Sequence, residues 1–546
     1  MPLLAALRAA PRSTVVAAKQ VAVLHNSGLI DLHNPVRLLR TSRTIAALGP
    51  IAGAVRLSAR RWGDTVAIID AQGPVTYAEL DADTDTLARR WLSDGLAEDS
   101  TIGVLCRDHR GLVSAMVAAA KVGSRLVFLN TGFAATQLAD VVKREGIDAL
   151  VVDAEFEVNA AHIPSDIRRL ETCVASNLVS SPLRMPARQG GFVILTGGTT
   201  GTPKGVPRKV ESPLAAAQFF DKVPMRHGDV VLLCAPLFHG TALSQFILSL
   251  NLGCTNILHG KFDAARALAQ VSEHRVTTMV VVPTMLRRIV ELDPAQLATY
   301  RTESLRIVFS AGAALPSSLG DKVISHFGPV IYNFYGCTET GTATIATPED
   351  WIAAPGTVGR PPVGITVRLY EDNTRLVDEP NRTGTIYVGN SIAFAGYSGG
   401  GSKRVVDGLM STGDIGHWDE GGRLFVDGRD DDMIVSGGEN VFPGEVEELL
   451  YAHSRISEAA VLGVPDDEFG QRLSAFVVAD DELTEIEVKS YVREHLARFK
   501  VPRDVRFVDD LPRTATGKIH RASLTEMATR SPAEHDELGG RPPRRA

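Results

Sequence analysis

The sequence predicts an α/β protein: a large N-terminal domain of parallel-rich sheets with flanking helices and a β-rich subdomain, followed by a small α+β C-terminal domain. Three observations predict it. The 546 residues amount to three or four units at roughly 150 residues each. From Thr65 onward, short β-branched runs alternate with helical stretches, the pattern of parallel strands joined by crossover helices. Past about residue 356 the chain turns to Gly-punctuated alternating segments, the pattern of hairpins. A content of 44% hydrophobic, 22% charged and 6% aromatic residues is that of an ordinary folded protein and excludes disordered and collagenous classes.

In chain order, residues 1–60 read as a basic, apolar N-terminal extension. Up to residue 61 there are nine basic side chains (Arg8, Arg12, Lys19, Arg37, Arg40, Arg43, Arg56, Arg60, Arg61) against Asp31 alone. Such a stretch suits a helix laid on the main body, a membrane-surface helix or a transit peptide. Its longest uncharged stretch, between Arg43 and Arg56, has 12 residues, short of the ~20 a bilayer span needs. Strands are predicted at 66–70, 102–106, 125–130, 149–153, 191–196, 230–235, 277–283, 305–312 and 330–336. Several are apolar on both faces, as a buried parallel sheet requires. The segments GITVRLY, GTIYVGN and GRLFVDG read as the β-rich unit. The last hundred or so residues read as α+β, and the tail 531–546, with its Pro-Pro and mixed charges, is expected to be disordered. No internal repeat is visible.

A formal net charge of -7 provides no basic field to attract nucleic acid. The five cysteines (Cys106, Cys173, Cys234, Cys254, Cys337) are odd in number and never spaced CxxC, so neither a disulfide framework nor a zinc site is indicated. The expected compartment is reducing and cytoplasmic, with peripheral membrane contact through the extension as a possibility to test.

The sharpest local signal is LTGGTTGTPKG at 195–205, directly after an apolar strand. Glycines allow close backbone approach, threonine hydroxyls and amides donate to phosphate oxygens, and Lys204 adds positive charge. It is no Walker A loop, because Lys204 follows Pro203 and precedes Gly205. SAGAALP (310–316) and NFYGCTET (333–340) also put polar groups at the ends of apolar strands. In an open parallel sheet such loops converge on one crevice at the carboxyl ends of the strands. There Glu339 can offer Mg²⁺ a hard oxygen, Thr338 can donate to a phosphate and Tyr335 can stack on a base. Each is equally at home in a turn or a core.

Three more segments follow: STGDIGHWDE (411–420), GRDDDMIVSGGENVFPGEVE (428–447) and LPRTATGKIHR (511–521). In order and spacing, the six motifs resemble the adenylate-forming superfamily of acyl-CoA synthetases, firefly-type luciferases and peptide-synthetase adenylation domains, over roughly residues 60–525. The resemblance implies a large AMP-binding domain at 61–428, a hinge at 429–431 centred on Asp431, and a small domain at 432–530. It identifies Thr196, Gly197, Gly198, Thr199, Thr200, Gly201 and Lys204 with the phosphate loop. Gly312, Ala313 and Ala314 correspond to the adenine-side backbone, and Asn333, Tyr335 and Gly336 to the rest of that pocket. Thr338 is implied at the phosphate, Glu339 at magnesium, Asp414 at the ribose hydroxyls and Arg429 beside it. Lys518 is implied at the carboxylate and α-phosphate in the first half-reaction only, His239 of APLFHG at the acyl pocket, and Gly437 on the face that meets CoA in the second.

The implied reaction uses ATP, CoA and Mg²⁺. A carboxylate attacks an anionic phosphate, so the site must neutralise charge while holding both groups in line. Acyl-AMP and pyrophosphate form, the small domain rotates, and the CoA thiol displaces AMP. No acid lies between Asp229 and Asp263, so a substrate ammonium would be buried unpaired, which disfavours amino acids. A medium- or long-chain fatty acid is therefore the expected substrate. The alternatives are a fatty acyl-AMP ligase delivering to a carrier protein and a ligase for a non-fatty apolar or aromatic acid. A non-catalytic binding protein on the same fold is disfavoured by the joint presence of Lys518, Glu339 and Lys204. The stretch GGGSKR at 399–404 departs from the family pattern and is expected on the surface.

Overall fold

Residues 12–172, 183–196, 204–208, 213–390, 403–432, 434–436, 439–466, 470–480, 482–514 and 518–529 are described by the computed structural model. Two sheets form the body of the large domain, and all nine predicted strands lie in them. The first runs Gly341–Ala346, Ile331–Cys337, Ile307–Ser310, Thr278–Val281, Val230–Leu233, Thr255–Leu258, Val66–Asp70, Gly73–Thr76 from edge to edge. Its interior pairs are parallel, and an antiparallel strand closes each edge. The second runs Arg168–Arg169, Ala149–Val152, Thr101–Leu105, Arg125–Phe128, Phe192–Thr196, Lys204–Arg208, parallel except for the final hairpin. Burial explains the composition: every residue of Thr278–Val281 and of Ile307–Ser310 is buried, so these strands carry apolar side chains on both faces.

The N-terminal stretch divides at Gly49 (φ 74°) and Pro50, which bend the helix Pro35–Trp62. Beyond the bend Ile51, Ala52, Ala54 and Val55 are buried in the main core, and Arg56 pairs with Asp81 and Asp85. Most of the uncharged stretch between Arg43 and Arg56 is thus body rather than appendage. Before the bend, Val36, Leu38 and Leu39 are exposed. Among the described residues no helix is long and apolar enough to cross a membrane.

The Gly-punctuated region forms an antiparallel sheet of Arg375–Val377, Thr366–Glu371, Gly384–Gly389, Leu409–Trp418 and Val405–Val406, with Leu424–Arg429 paired to the long strand. A short turn, Asp430–Asp432, leads into the small domain. That domain is a sheet built on the hairpin Ile456–Asp466 and Gly470–Ala479, with helices Pro443–Tyr451, Glu485–His495 and Arg521–Thr529 and two apolar clusters of its own. The predicted tail 531–546 lies outside the described residues.

Candidate active site

Tyr335, Asp414 and Arg429 of the predicted residues meet where the large domain's first sheet adjoins the antiparallel sheet. Asp414 lies in the strand Leu409–Trp418, directly opposite Arg429 of Leu424–Arg429. Its Oδ1 is 3.6 Å from Arg429 Nη1, and its Oδ2 accepts a 2.6 Å hydrogen bond from the Tyr335 hydroxyl. The backbone is shaped for this. Gly413 has φ +82°, and a Cβ there would stand 3.3 Å from Arg429 Nη2, so a side chain would be strained and would crowd the arginine. Burial pushes the Asp414 carboxyl above its ordinary pKa, against the opposing pull of Tyr335, Arg429, Lys403 and Lys518. The same burial and the Asp414 charge push the Tyr335 phenol well up.

Tyr335 and Asn333 come from Ile331–Cys337. Asn333 is buried, and its amide donates to the Thr357 carbonyl at 3.0 Å, so it braces the neighbouring chain. The strand slips register between Tyr335 and Gly336; a Cβ on Gly336 would meet the Gly341 carbonyl oxygen at 2.2 Å, which only glycine avoids. The tight turn that follows carries Thr338 and Glu339. Its shape is held by Thr340, whose amide donates to Cys337 Sγ at 3.4 Å, and by Asn390, whose Nδ2 donates to the Thr340 carbonyl at 3.1 Å. The Glu339 charge helps raise the Cys337 thiol, after desolvation, so the carboxylate projects beside this turn. A carboxylate offers the hard oxygen that Mg²⁺ prefers, since that ion keeps most of its waters and takes one or two carboxylates.

Gly312, Ala313 and Ala314 are exposed on the loop after Ile307–Ser310, with Gly312 at φ +92°. The stems of the phosphate loop, Thr196 and Lys204, pair as the last rung of an antiparallel hairpin. Gly197, Gly198, Thr199, Thr200 and Gly201 lie outside the described residues, as does Gly437. Asp431 sits in the turn Asp430–Asp432.

His239 precedes the helix Gly240–Leu252. It is half-buried, and among the described residues its water-shielded Nε2 has no hydrogen-bond partner. Desolvation, then the charge of Lys518, lowers its pKa to about 3, so the imidazole is neutral at physiological pH. Lys518 belongs to the small domain, in a hairpin where Thr514 N donates to the Lys518 carbonyl (2.8 Å) and His520 N to that of Pro512 (2.7 Å). Its charge acts on both His239 and Asp414. Lys518 of the small domain therefore lies near both residues.

Two residues escaped the sequence reading. Lys403, in the stretch expected on the surface, instead comes to the site: it is half-buried, its Nζ donates to the Thr412 carbonyl at 2.8 Å, and its charge reaches Asp414. Nothing in its glycine-rich surroundings signals this. Asp108 is buried, and both its oxygens lie 3.1 Å from Leu237 N, so it holds the loop that carries His239. An acid three residues past the end of the apolar strand Thr101–Leu105 was the available clue. Burial raises its pKa to about 7. The folded state thus keeps a proton that the unfolded chain releases near pH 4, and this group costs stability as pH rises from about 4 to 7. We expect the melting temperature of Asp108→Asn to gain on the wild type, by about 2 °C or more, as pH is raised through that interval, measured by thermal denaturation of both proteins. A constant difference would contradict it.

The AMP-binding enzyme family matches residues 55–398, and the AMP-binding enzyme C-terminal domain matches 445–518. The chain belongs to this family, among the acyl- and aryl-CoA ligases of the adenylate-forming superfamily. It is 31% identical over 471 residues to 2-succinylbenzoate–CoA ligase of Bacillus pumilus, covering 84% of this chain and 95% of that one. Among solved structures it resembles the o-succinylbenzoate CoA synthetase of Bacillus subtilis in complex with its acyl-adenylate OSB-AMP (TM-score 0.76, 27% identity, 86% of this chain and 97% of that one). That enzyme has also been solved with ATP and magnesium ion. The Mycobacterium tuberculosis fatty acyl CoA synthetase is similar too (TM-score 0.67, 28% identity, 87% and 98%).

Proposed function

We propose that the protein joins an apolar monocarboxylic acid to CoA through an acyl-AMP intermediate, releasing pyrophosphate and AMP, and that the acid is aromatic or otherwise non-fatty. The single observation that carries the adenylation is the geometry around Asp414, which accepts from the Tyr335 hydroxyl at 2.6 Å and faces Arg429 at 3.6 Å, with the charge of Lys518 from the small domain acting on the same carboxylate. In this reading Asp414, with Arg429 and Tyr335 around it, accepts from the ribose hydroxyls. Asn333, Gly336 and the loop 312–314 border the base. Lys204, Thr338 and the loop between Thr196 and Lys204 face the phosphates, and Lys403 adds positive charge beside the ribose. Lys518 neutralises the carboxylate and α-phosphate as they meet. Neutral His239 borders the acyl group without adding a second fixed charge that would compete for it. Mg²⁺ bound with ATP, held by Glu339, would offset charge on the phosphate oxygens. For the second step, Asp431 is the hinge and Gly437 belongs to the face that meets CoA.

The aromatic preference rests on the relatives, whose named substrate is 2-succinylbenzoate; it replaces the fatty acid expected from the sequence. That compound has a second carboxylate, whereas the helix Gly240–Leu252 contains no charged residue to receive one, and burying an unpaired carboxylate is costly. A single carboxylate is therefore assigned here. A fatty acid is the second reading, favoured by the same uncharged helix and by the likeness to the fatty acyl CoA synthetase. AMP release from Mg-ATP with benzoate, 2-succinylbenzoate, octanoate and palmitate, each with and without CoA, separates these. Benzoate in the lead with CoA required supports the main reading, octanoate or palmitate in the lead supports the second, and pyrophosphate exchange without CoA consumption points to a carrier-protein acceptor. For the metal, Glu339→Gln is expected to raise the Mg²⁺ concentration for half-maximal exchange by about tenfold or more, the lower end of the loss seen when metal-site support is removed. An unchanged titration would remove Glu339 from the metal.

A further inference from the structure

Lys518 works only if the small domain is held in one seat on the large domain. Arg287, on the helix Pro283–Val290 of the large domain, reaches across to the small domain. Its guanidinium donates to the Ser457 carbonyl, lies 3.5 Å from Glu458 Oε1 and stacks 4.7 Å above the Tyr451 ring. Glu458 turns its other oxygen to Arg513 Nη2 at 2.6 Å. Arg513 sits within the Lys518 hairpin, bridged in antiparallel register to Ile519. All three charged side chains are mostly shielded from water, at 11%, 15% and 16% exposure, so the pairs are screened less than surface ones. A second contact lies alongside: Glu448 accepts from Ser317 N at 2.8 Å and from the Ser317 hydroxyl.

We infer that Arg287, Glu458 and Arg513 form a clamp that positions the Lys518 hairpin over the active site, with Glu458 as its central member. The one carboxylate joins an arginine of the large domain to an arginine five residues before Lys518, so docking of the domain and placement of the lysine are one event. These are positioning residues; none of them reaches the crevice. The inference rests on the adenylation reading for its consequence, and on geometry alone for the docking.

Such a clamp must act on one half-reaction. Releasing it withdraws Lys518 from acyl-AMP formation, where a misplacement of about 1 Å can cost on the order of a hundredfold, but leaves thioester formation, which does not use the lysine, with no such loss. The test compares Glu458→Gln, Arg287→Ala and Arg287→Lys with the wild type in ATP–pyrophosphate exchange with benzoate and with octanoate, and in transfer from supplied benzoyl-AMP and octanoyl-AMP to CoA. Expected is a fall in exchange of about ten- to a hundredfold for the first two, unchanged or faster transfer, and partial recovery in Arg287→Lys. In parallel, amide hydrogen exchange without substrate should speed up in peptides covering 283–290 and 455–460 in Glu458→Gln. Equal loss of both half-reactions, or no change in exchange and in amide protection, would overturn the clamp. If the wild type supports exchange with neither acid, the adenylation reading fails, and amide protection alone then decides the clamp.

Discussion

Lys518→Ala is expected to slow acyl-AMP formation by roughly 10²–10³-fold, the usual loss when one preorganised group at the developing charge is removed, and to leave transfer of supplied acyl-AMP to CoA within about twofold of the wild type. The reason is electrostatic. The acid's carboxylate and the α-phosphate are both anionic, and of the cations expected there Lys518 alone arrives from the small domain. Exposed on its hairpin, it contributes little to folding, so the variant should remain folded. Separate assays of the two half-reactions check this. Equal loss in both would mean that the lysine serves the whole cycle and that the docked domain seen here is the only working arrangement.

The second large effect is expected at Asp414. Asp414→Ala removes the acceptor of the Tyr335 hydroxyl and the partner of Arg429, leaving two polar groups facing a hole where the ribose should sit. Losing the hydrogen bonds that a charged acceptor receives costs about 1.5–3 kcal/mol, and the half-exposed Arg429 adds little because water screens it, so the KM for ATP should rise at least about tenfold. Asp414→Asn, which keeps one acceptor oxygen, should fall in between. The raised pKa of Asp414 adds a pH signature. ATP binding should weaken on the acid side at a higher pH than an ordinary carboxylate would allow, because protonation removes acceptor capacity. Steady-state kinetics from pH 5 to 8 on the wild type and Asp414→Asn tests this: the acid limb should be lost in the variant.

Most of the fold was legible because its signals are local. A strand buried on both faces must be mostly apolar, so Thr278–Val281 and Ile307–Ser310, each with three apolar residues and one hydroxyl, could be read from four residues each. The Gly-punctuated alternation after residue 356 announced the antiparallel sheet in the same way. The candidate residues Tyr335, Asp414, Arg429 and Lys518 were legible as motifs, yet the Tyr335–Asp414 bond was not, since it joins strands 79 residues apart. Lys403 was hidden because its signal is tertiary: a lysine in a glycine-rich stretch looks solvated until a neighbouring strand presents the Thr412 carbonyl to it. The clamp was hidden for the same reason, with Arg287, Glu458 and Arg513 on three separate elements. Substrate class was less legible, for a different reason. The uncharged helix Gly240–Leu252 excludes a partner for an ammonium group but does not distinguish an alkyl chain from an aryl ring, and the fatty-acid expectation asked more of it than it carries.

The central claim is that the acid's own oxygen attacks the α-phosphate of ATP, and labelling the carboxylate with ¹⁸O tests it most directly. With ¹⁸O-labelled benzoate and, in parallel, ¹⁸O-labelled octanoate, CoA and Mg-ATP, mass spectrometry of the products should find one ¹⁸O in the AMP for each acyl-CoA formed and none in the pyrophosphate. Acyl-CoA formed with unlabelled AMP, or label recovered in pyrophosphate or inorganic phosphate, would contradict the acyl-AMP route.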